Sequence, residues 1–208
     1  MKCNYSLYLV TDRAILKGRD LCQAVEGALR GGVTLVQLRE KEVASRDFYQ
    51  IALVLKELTV KYKVPLLIND RLDIALAVSA DGIHIGQEDL PLQVARRILG
   101  PEKIIGYSVS NTEEAVYGEK YGADYLGAGP VYNTTTKAII IPPLGVEGLR
   151  NIKESVSIPV VGIGGINLDN VGEVKQSGAD GVSIVSGILG SLDPAETSRE
   201  LREAWQQG

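Results

Sequence analysis

The chain has 208 residues, of which 45% are hydrophobic, 23% charged and 5% aromatic, so it has the length of one domain and the composition of a globular protein. A net charge of −4, without a basic run or a basic-aromatic stripe, argues against nucleic acid as the main partner. The sequence has neither a signal-peptide core nor an apolar run of the roughly 18 residues that a bilayer span needs, which predicts a cytoplasmic protein without a membrane partner.

Short apolar runs rich in Val, Ile and Leu recur along the whole chain, and each has the length of a strand. Several are apolar on both faces, as buried parallel strands tend to be. In chain order the predicted strands are Ser6–Thr11, Thr34–Leu38, Pro65–Ile68, Gly82–Ile85, Ile104–Tyr107, Tyr125–Ala128, Pro159–Ile163 and Gly181–Val185.

Helical periodicity lies between these runs. The clearest helix is predicted over Phe48–Lys61, where Ile51, Leu55 and Leu58 form an apolar face. Other helices are predicted at Leu21–Leu29, Leu92–Leu99 and Pro194–Gln206.

Glycine ends three of the helical stretches just before the next strand, at Gly31-Gly32, Gly122 and Gly178, where a left-handed C-cap is expected. Eight strands that alternate with helices, without a linker or a shift in composition, predict a closed (β/α)₈ TIM barrel. We expect this barrel to form a single domain over residues 1–208. A doubly wound open sheet is the alternative arrangement.

Polar residues cluster just after the predicted strands. In a barrel all of these segments would lie on one face, where barrel enzymes place their active sites. Their shared position, more than any single residue, predicts an active site there. The segments are Gln37–Lys41, Asn69–Arg71, Gln87–Asp89, Ser108, Asn133–Lys137, Gly162–Gly165 and Val185–Gly187.

Asp70 and Asp89 follow neighbouring strands and are the best candidates for metal ligands. Carboxylate oxygens suit Mg²⁺, which in proteins takes one or two carboxylates together with phosphate oxygens and water. Either aspartate alone is also typical of a helix N-cap, and Asp89, shortly before a proline, fits that alternative. The positive charges nearby favour the metal, because a bound diphosphate needs both a metal and cations.

Arg39 and Lys41 are two residues apart in an extended segment, so their side chains are expected on the same side. Glu40 between them would face away, toward a salt bridge. Taken alone, such a run of charges is typical of a solvated surface. Beside the aspartate pair, the two cations are instead candidate ligands of a phosphorylated substrate.

Two further features suit anions. Thr134–Thr136 offer hydroxyls and backbone amides, and Lys137 adds a charge, although a polar loop is the alternative interpretation. The turns Gly164–Gly165 and Ser186–Gly187 follow the seventh and eighth strands, where barrels often bind phosphate through backbone N–H groups. Simple turn formation is the alternative for these glycines.

His84 is the only histidine of the sequence and lies inside a strand pattern. A lone histidine in an apolar strand is typical of a packed, hydrogen-bonded residue, so we expect it to affect stability more than chemistry. Tyr125 and Trp205 are likewise interpreted as packing residues. No combination of serine or cysteine with histidine points to nucleophilic catalysis.

The order of the motifs resembles that of the thiamine-phosphate synthase family, from Tyr8 to Gly187, nearly the whole chain. Together the motifs are highly specific. They are V-Q-L-R-E-K at Val36–Lys41, I-N-D-R at Ile68–Arg71, D-G-I-H-I-G-Q-E-D-L-P at Asp81–Pro91, G-A-G-P-V-Y with T-T-T-K at Gly127–Lys137, and G-I-G-G-I at Gly162–Ile166.

The resemblance implies two small-molecule substrates and one Mg²⁺ ion, which Asp70 and Asp89 would hold. A thiazole phosphate would contact Thr134, Thr135, Thr136, Gly165, Val185 and Ser186. A pyrimidine diphosphate would contact Gln37, Leu38, Arg39, Glu40, Lys41, Asn69, Ser108 and Lys137. Among these, the residues expected to assist the chemistry are Arg39, Lys41, Ser108 and Lys137.

The reaction of the family is dissociative. Diphosphate leaves, a stabilised pyrimidine-methyl cation forms, and the thiazole nitrogen captures the cation, while a carboxylate on the thiazole is lost as CO₂. Metal and cations would stabilise the charge on the leaving group more in the transition state than in the ground state. This chemistry requires neither a histidine base nor a protein nucleophile.

One segment departs from the family, because Ala138–Pro143 is apolar where a polar or acidic stretch is common. We interpret it as a lid, an interface or a packing variant. A thiazole tautomerase on the same fold and a non-catalytic sensor of phosphorylated ligands are the alternative functions, but neither needs the aspartate pair. The sequence leaves open whether the chain forms a homo-oligomer and whether Mn²⁺ replaces Mg²⁺.

Overall fold

The protein is known from a computed structural model that describes residues 3–134 and 142–207. Within these residues, parallel strands pair in chain order and close into a barrel, because β8 pairs with β1. The predicted (β/α)₈ barrel is therefore confirmed, and the open-sheet alternative is wrong. The strands are β1 Leu7–Val10, β2 Leu35–Leu38, β3 Leu66–Asn69, β4 Gly82–Ile85, β5 Ile104–Val109, β6 Tyr125–Ala128, β7 Val160–Ile163 and β8 Gly181–Ile184.

Helices of very different length connect the strands. The long ones match the periodicity of the sequence, whereas α1, α4, α8 and α9 are too short for a periodic pattern to appear. No helix of the described residues is both long and apolar enough to cross a membrane. The helices are α1 Arg13–Leu16, α2 Leu21–Gly31, α3 Ser45–Tyr62, α4 Leu72–Ala77, α5 Leu92–Leu99, α6 Thr112–Lys120, α7 Gly145–Glu154, α8 Val171–Lys175, α9 Ser186–Leu189 and α10 Pro194–Gln207.

Many element boundaries differ by one to three residues from the sequence prediction, and two of the differences have identifiable reasons. β5 continues past Tyr107 because Ser108 and Val109 still pair with β6. α3 begins at Ser45 rather than Phe48, because its first turn is polar and carries no apolar periodicity. The extension of β5 makes Ser108 part of the sheet.

The core has two layers. Apolar strand and helix side chains fill the space between the barrel and its surrounding helices. A smaller cluster fills the barrel interior and contains Tyr5, Tyr8 and Tyr125 together with Val10, Leu35, Leu67 and Val161. Strands buried on both faces explain why the sequence shows continuous apolar runs rather than alternation.

One glycine at each of the three predicted helix ends adopts the left-handed conformation, with φ of 101° at Gly32, 97° at Gly122 and 84° at Gly178. Gly32 is the C-cap of α2, and its N–H donates to the carbonyls of Ala28 and Leu29. Glycine adopts this conformation without the steric cost of a side chain, which explains its place before the strands.

A repeated contact joins the strands in pairs at the opposite end of the barrel from the predicted site. Asp81, Asp124 and Asp180 each precede an even-numbered strand and accept the backbone N–H of a residue in the strand before it, at Leu66, Ile105 and Val160. Each aspartate also pairs with a cation of the helix that precedes the first strand of its pair, at Lys56, Arg96 and Lys153. Thr34 makes the equivalent bond to Leu7 before β2. These contacts fix the start of one strand against the next.

We expect Asp124→Ala to lower the free energy of unfolding by about 1–3 kcal/mol, because the N–H of the buried Ile105 would lose its acceptor. Chemical denaturation with urea measures this loss, with Glu102→Ala, at an exposed position, as the control. Equal midpoints for the two variants would contradict a structural role for this aspartate.

Candidate active site

A cavity of about 510 Å³ opens at the carboxyl ends of the strands, on the face that the sequence predicts. A second cavity of about 490 Å³ adjoins it, and both are bordered by Thr134, Gly165 and Ser186. The first cavity also brings together the charged and polar candidates of β2, β3, β4 and β5, namely Arg39, Lys41, Asn69, Asp70, Asp89 and Ser108, and Val185 of the last turn.

Asp70 and Asp89 face the same cavity from the ends of neighbouring strands. The Asp70 backbone is left-handed, with φ of 59°, and its N–H donates to the carbonyl of His84 at 2.9 Å. The Asp89 carboxylate accepts the N–H of Gly86 at 2.7 Å. α5 instead has Pro91 at its N-cap and no side-chain cap bond, so the alternative that Asp89 caps this helix is wrong.

The two carboxyl groups interact. Burial raises the pKa of Asp89, and the Asp70 carboxyl raises it further, while the Gly86 N–H and the Lys41 charge lower it. The neighbouring Asp70 carboxyl disfavours the ionised form of Asp89. The two carboxyl groups offer oxygen ligands for a divalent cation, which would offset their mutual repulsion.

Two cations border the acidic pair. Lys41 donates to the Asp70 carboxylate, and the Arg39 guanidinium lies 3.8 Å from Asp12. Glu40 points away from the cavity and pairs with Arg13 at 2.8 Å, as its alternation with Arg39 and Lys41 predicts. The ends of β1 and β2 are thus joined by two ion pairs that leave Arg39 beside the cavity.

The polar side chains beneath the cavity are linked by hydrogen bonds. Gln37 Nε2 donates to the Tyr8 hydroxyl, which lies 2.8 Å from the Tyr125 hydroxyl. The His84 ring joins Tyr125, at 2.8 Å from Nδ1, to Ser108 Oγ, at 2.9 Å from Nε2. His84 is therefore the packed and hydrogen-bonded residue that its strand pattern predicts, although it also borders the cavity.

Some site residues predicted from the sequence lie elsewhere. The first cavity is not bordered by Gln37, Leu38 or Glu40. Gln37 is only 3% exposed, and Leu38 is fully buried in the layer between strands and helices. Thr135, Thr136 and Lys137 lie outside the described residues, as does most of the apolar segment Ala138–Pro143.

The turn after β7 has a conformation suited to close approach. Gly164 and Gly165 have φ of 97° and 68°. A Cβ atom on Gly165 would lie 2.6 Å from the carbonyl oxygen of Asn133, so only glycine fits between the two loops. The backbone is thereby exposed to both cavities beside Ser186, the first residue of α9.

Several residues that border the cavity were not identified from the sequence as site residues, among them Glu114, Ser183 and Gly127. Glu114 accepts hydrogen bonds from Ser110 N and Oγ, at 2.6 and 3.0 Å. Ser183 is 3% exposed, and its hydroxyl has no hydrogen-bond partner among the described residues. Gly127 lies against the His84 ring. Strand alternation, which places Ser183 on the same side as Val185, could have found only the second of these.

This fold and this site define a barrel enzyme that works at the carboxyl face of its strands. The family model described as thiamine monophosphate synthase matches residues 7–188. A thiamine-phosphate synthase of Desulfitobacterium hafniense is 53% identical over 206 residues, which cover 99% of this chain and all of the relative. That of Clostridium acetobutylicum is 58% identical over 196 residues, 94% of this chain and 92% of the relative.

A solved structure agrees with the sequence relatives. Thiamine phosphate pyrophosphorylase from Pyrococcus furiosus is 44% identical and superposes with a TM-score of 0.90, over 98% of this chain and 96% of that one. The chain belongs to the thiamine-phosphate synthase family, a family of transferases, which confirms the resemblance found in the sequence.

We expect Asp89→Asn to make the ligand-free protein more stable at neutral pH. Because folding raises the pKa of Asp89, the folded state loses stability as the pH rises through that value, and asparagine does not ionise. The amide oxygen can still accept the Gly86 N–H. Urea midpoints at acidic and neutral pH, without metal, measure the difference, which should grow toward neutral pH.

The matched control is Asp73→Asn. The hydrogen bond from Arg71 lowers the pKa of Asp73, so ionisation of Asp73 stabilises the folded state, whereas ionisation of Asp89 destabilises it. That variant should gain no stability at neutral pH. A destabilised Asp89→Asn protein at neutral pH would contradict the electrostatic account of the acidic pair.

Proposed function

We propose that the chain joins a pyrimidine-methyl diphosphate to a carboxythiazole phosphate, forming thiamine phosphate and releasing diphosphate and CO₂. The observation that supports this most is the meeting of an acidic pair, Asp70 and Asp89, with Lys41 and Arg39 beside one cavity. Such a set suits a diphosphate leaving group. We further propose that residues 1–208 form one domain and act in the cytoplasm on these two small molecules.

The acidic pair fits a magnesium ion. In the described part of the chain, no group of three or more acidic, histidine or cysteine side chains is placed so that it could hold a metal ion, so an ion at the two aspartates would need further ligands. Mg²⁺ is commonly held by one or two carboxylates, with the remaining positions filled by substrate phosphate and water. When bound, the ion would supply Lewis-acid stabilisation of the negative charge on the diphosphate.

The cations of β2 would bind the same leaving group. Lys41 forms an ion pair with Asp70 in the ligand-free protein, so a substrate phosphate would compete with Asp70 for the Lys41 ammonium. Arg39, held near Asp12, presents a planar donor pair suited to phosphate oxygens. As the C–O bond breaks, its electron pair passes to the diphosphate, and both side chains would stabilise the growing charge.

The adjoining cavity suits the second substrate. Thr134, Gly165 and Ser186 border both cavities, so a thiazole phosphate held there would lie next to the pyrimidine. Its ring nitrogen would form the new C–N bond by donating its lone pair to the pyrimidine-methyl cation. When the carboxylate leaves as CO₂, the electron pair of its C–C bond would stay on the thiazole ring, where a proton from water replaces the lost group. Two substrates side by side also explain why the site needs no protein nucleophile, because capture depends on proximity.

Incubation of the purified protein with both substrates and Mg²⁺ tests the proposal directly. Thiamine phosphate and diphosphate should appear in equal amounts. Isomerisation of the thiazole carboxylate without diphosphate release would instead indicate a tautomerase, and binding without any conversion would indicate a sensor.

We expect Asp70→Ala and Asp89→Ala each to reduce turnover greatly while the far-ultraviolet circular dichroism stays unchanged, because each removes an oxygen ligand at the cavity edge. Excess chelator should abolish the wild-type activity, and added Mg²⁺ should restore it. Full activity in chelator would exclude the metal assignment.

We expect Lys137→Ala to lower the single-turnover rate about 30- to 1,000-fold, corresponding to about 2–4 kcal/mol for a charged hydrogen bond in a closed site. Lys137→Arg should recover only part of the loss. It restores the positive charge, but a planar guanidinium cannot occupy the place of a compact ammonium. Single-turnover kinetics at saturating thiazole phosphate measure the effect. An unchanged rate with weaker binding of the pyrimidine diphosphate would restrict Lys137 to substrate binding.

A further inference from the structure

We propose that Tyr8 and Tyr125 are positioning residues that point the hydroxyl proton of Ser108 into the cavity, so that Ser108 recognises a hydrogen-bond acceptor on the substrate. The acceptor would be an aromatic ring nitrogen or a phosphoryl oxygen. The recognition role rests on the proposed function, whereas the polarity of the hydrogen bonds is a property of the ligand-free protein.

The chain of hydrogen bonds crosses the barrel interior through four strands and ends in β5. It begins at Gln37 on β2, passes through Tyr8 on β1, Tyr125 on β6 and His84 on β4, and ends at Ser108 on β5. The contacts that join Tyr8 to Tyr125, Tyr125 to His84 and His84 to Ser108 are 2.8, 2.8 and 2.9 Å long. Tyr8 and Tyr125 are almost completely buried, so bulk water does not compete for these groups.

The direction of the chain follows from the number of protons. The Gln37 amide donates to the oxygen of Tyr8, and each tyrosine hydroxyl carries a single proton. The Tyr8 proton is then directed to the Tyr125 oxygen, its other partner in the chain. The Tyr125 proton is in turn directed to His84 Nδ1, which must accept it.

The tautomer of His84 completes the relay. A neutral imidazole whose Nδ1 accepts a hydrogen bond carries its proton on Nε2. That proton is donated to the oxygen of Ser108, 2.9 Å away. The Ser108 proton then cannot point back to the imidazole and is directed toward the cavity that Ser108 borders.

The surroundings hold the rings in this orientation. The Tyr125 ring packs against those of Tyr5, at 4.7 Å between centroids, and Tyr8, at 5.9 Å. A Cβ atom on Gly106 would lie 2.4 Å from His84 Nδ1, and one on Gly127 would lie 2.9 Å from Cε1. Glycine backbones therefore border the imidazole closely, and its ring has little room to turn.

The phenols remain donors over the working range of pH. Burial is the largest cause that raises the pKa of Tyr8 and of Tyr125, so neither hydroxyl loses its proton. Hydrogen bonds that follow one another in the same direction polarise each other, which strengthens the last bond of the series. The chain therefore gives Ser108 both a fixed direction and a better donor.

The position of the proton on His84 tests the polarity directly. Because His84 is the only histidine of the sequence, nitrogen-15 spectra of histidine-labelled, ligand-free protein report on this ring alone. At mildly alkaline pH we expect a proton on Nε2 and none on Nδ1. A proton on Nδ1 would overturn the proposal, because the ring would then donate to Tyr125 and Ser108 would no longer be directed into the cavity.

Tyr125→Phe keeps the aromatic ring and removes the donor to Nδ1, so His84 should lose its single tautomer. Tyr5→Phe is the matched control, because it removes a hydroxyl from the same cluster but from outside the chain, and should leave the Nε2 tautomer unchanged. The same His84 spectrum in both variants would overturn the role of Tyr125.

The catalytic consequence is measured separately, so that a failure of the proposed function does not affect the spectroscopic result. In the joining reaction, Tyr125→Phe should lower the single-turnover rate about threefold to tenfold, the effect of one neutral hydrogen bond. Tyr5→Phe should retain the wild-type rate. Equal rates for Tyr125→Phe and Tyr5→Phe, beside different His84 spectra, would overturn the link to substrate recognition.

Discussion

Closure of the parallel sheet is the constraint on which the rest of the structure depends. All strands are parallel, so every strand ends at the same face, and the pairing of β8 with β1 closes this face so that residues distant in the sequence meet there. Asp70 and Asp89 come together through the pairing of β3 with β4, and Ser108 joins them through β5. The aspartates at the opposite end, such as Asp124, hold the strand starts in place, so stability and chemistry occupy separate ends of the barrel.

The face at the carboxyl ends of the strands carries closely spaced charged side chains that do not stabilise the ligand-free fold. Asp89 is buried beside Asp70, and the pKa of Asp89 is raised in consequence. Lys41 relieves part of this repulsion by pairing with Asp70. Asp12 lies near Arg39, and Glu40 pairs with Arg13. A site prepared for a metal and a diphosphate is therefore less favourable when empty than a neutral site would be, which is a common cost of function.

The sequence predicted the parts of the molecule that depend on local pattern. Continuous apolar runs identify strands buried on both faces, and residues that follow them, such as Asp70 and Asp89, share one face of any closed barrel. It could not predict that Gln37 lies beneath the cavity and bonds to Tyr8, since the depth of a strand residue depends on the barrel's stagger. Nor could it distinguish Tyr125 as a hydrogen-bonding residue from Tyr125 as packing, because one aromatic side chain does both.

The central claim is that Asp70 and Asp89 hold a divalent ion against the diphosphate of the substrate. A crystal structure of the protein with diphosphate and Mn²⁺, recorded at a wavelength where manganese scatters anomalously, would test it most directly. The account predicts one anomalous peak that contacts carboxylate oxygens of Asp70 and Asp89 and an oxygen of the diphosphate. Diphosphate bound beside Arg39 and Lys41 with no manganese at the two aspartates would contradict it.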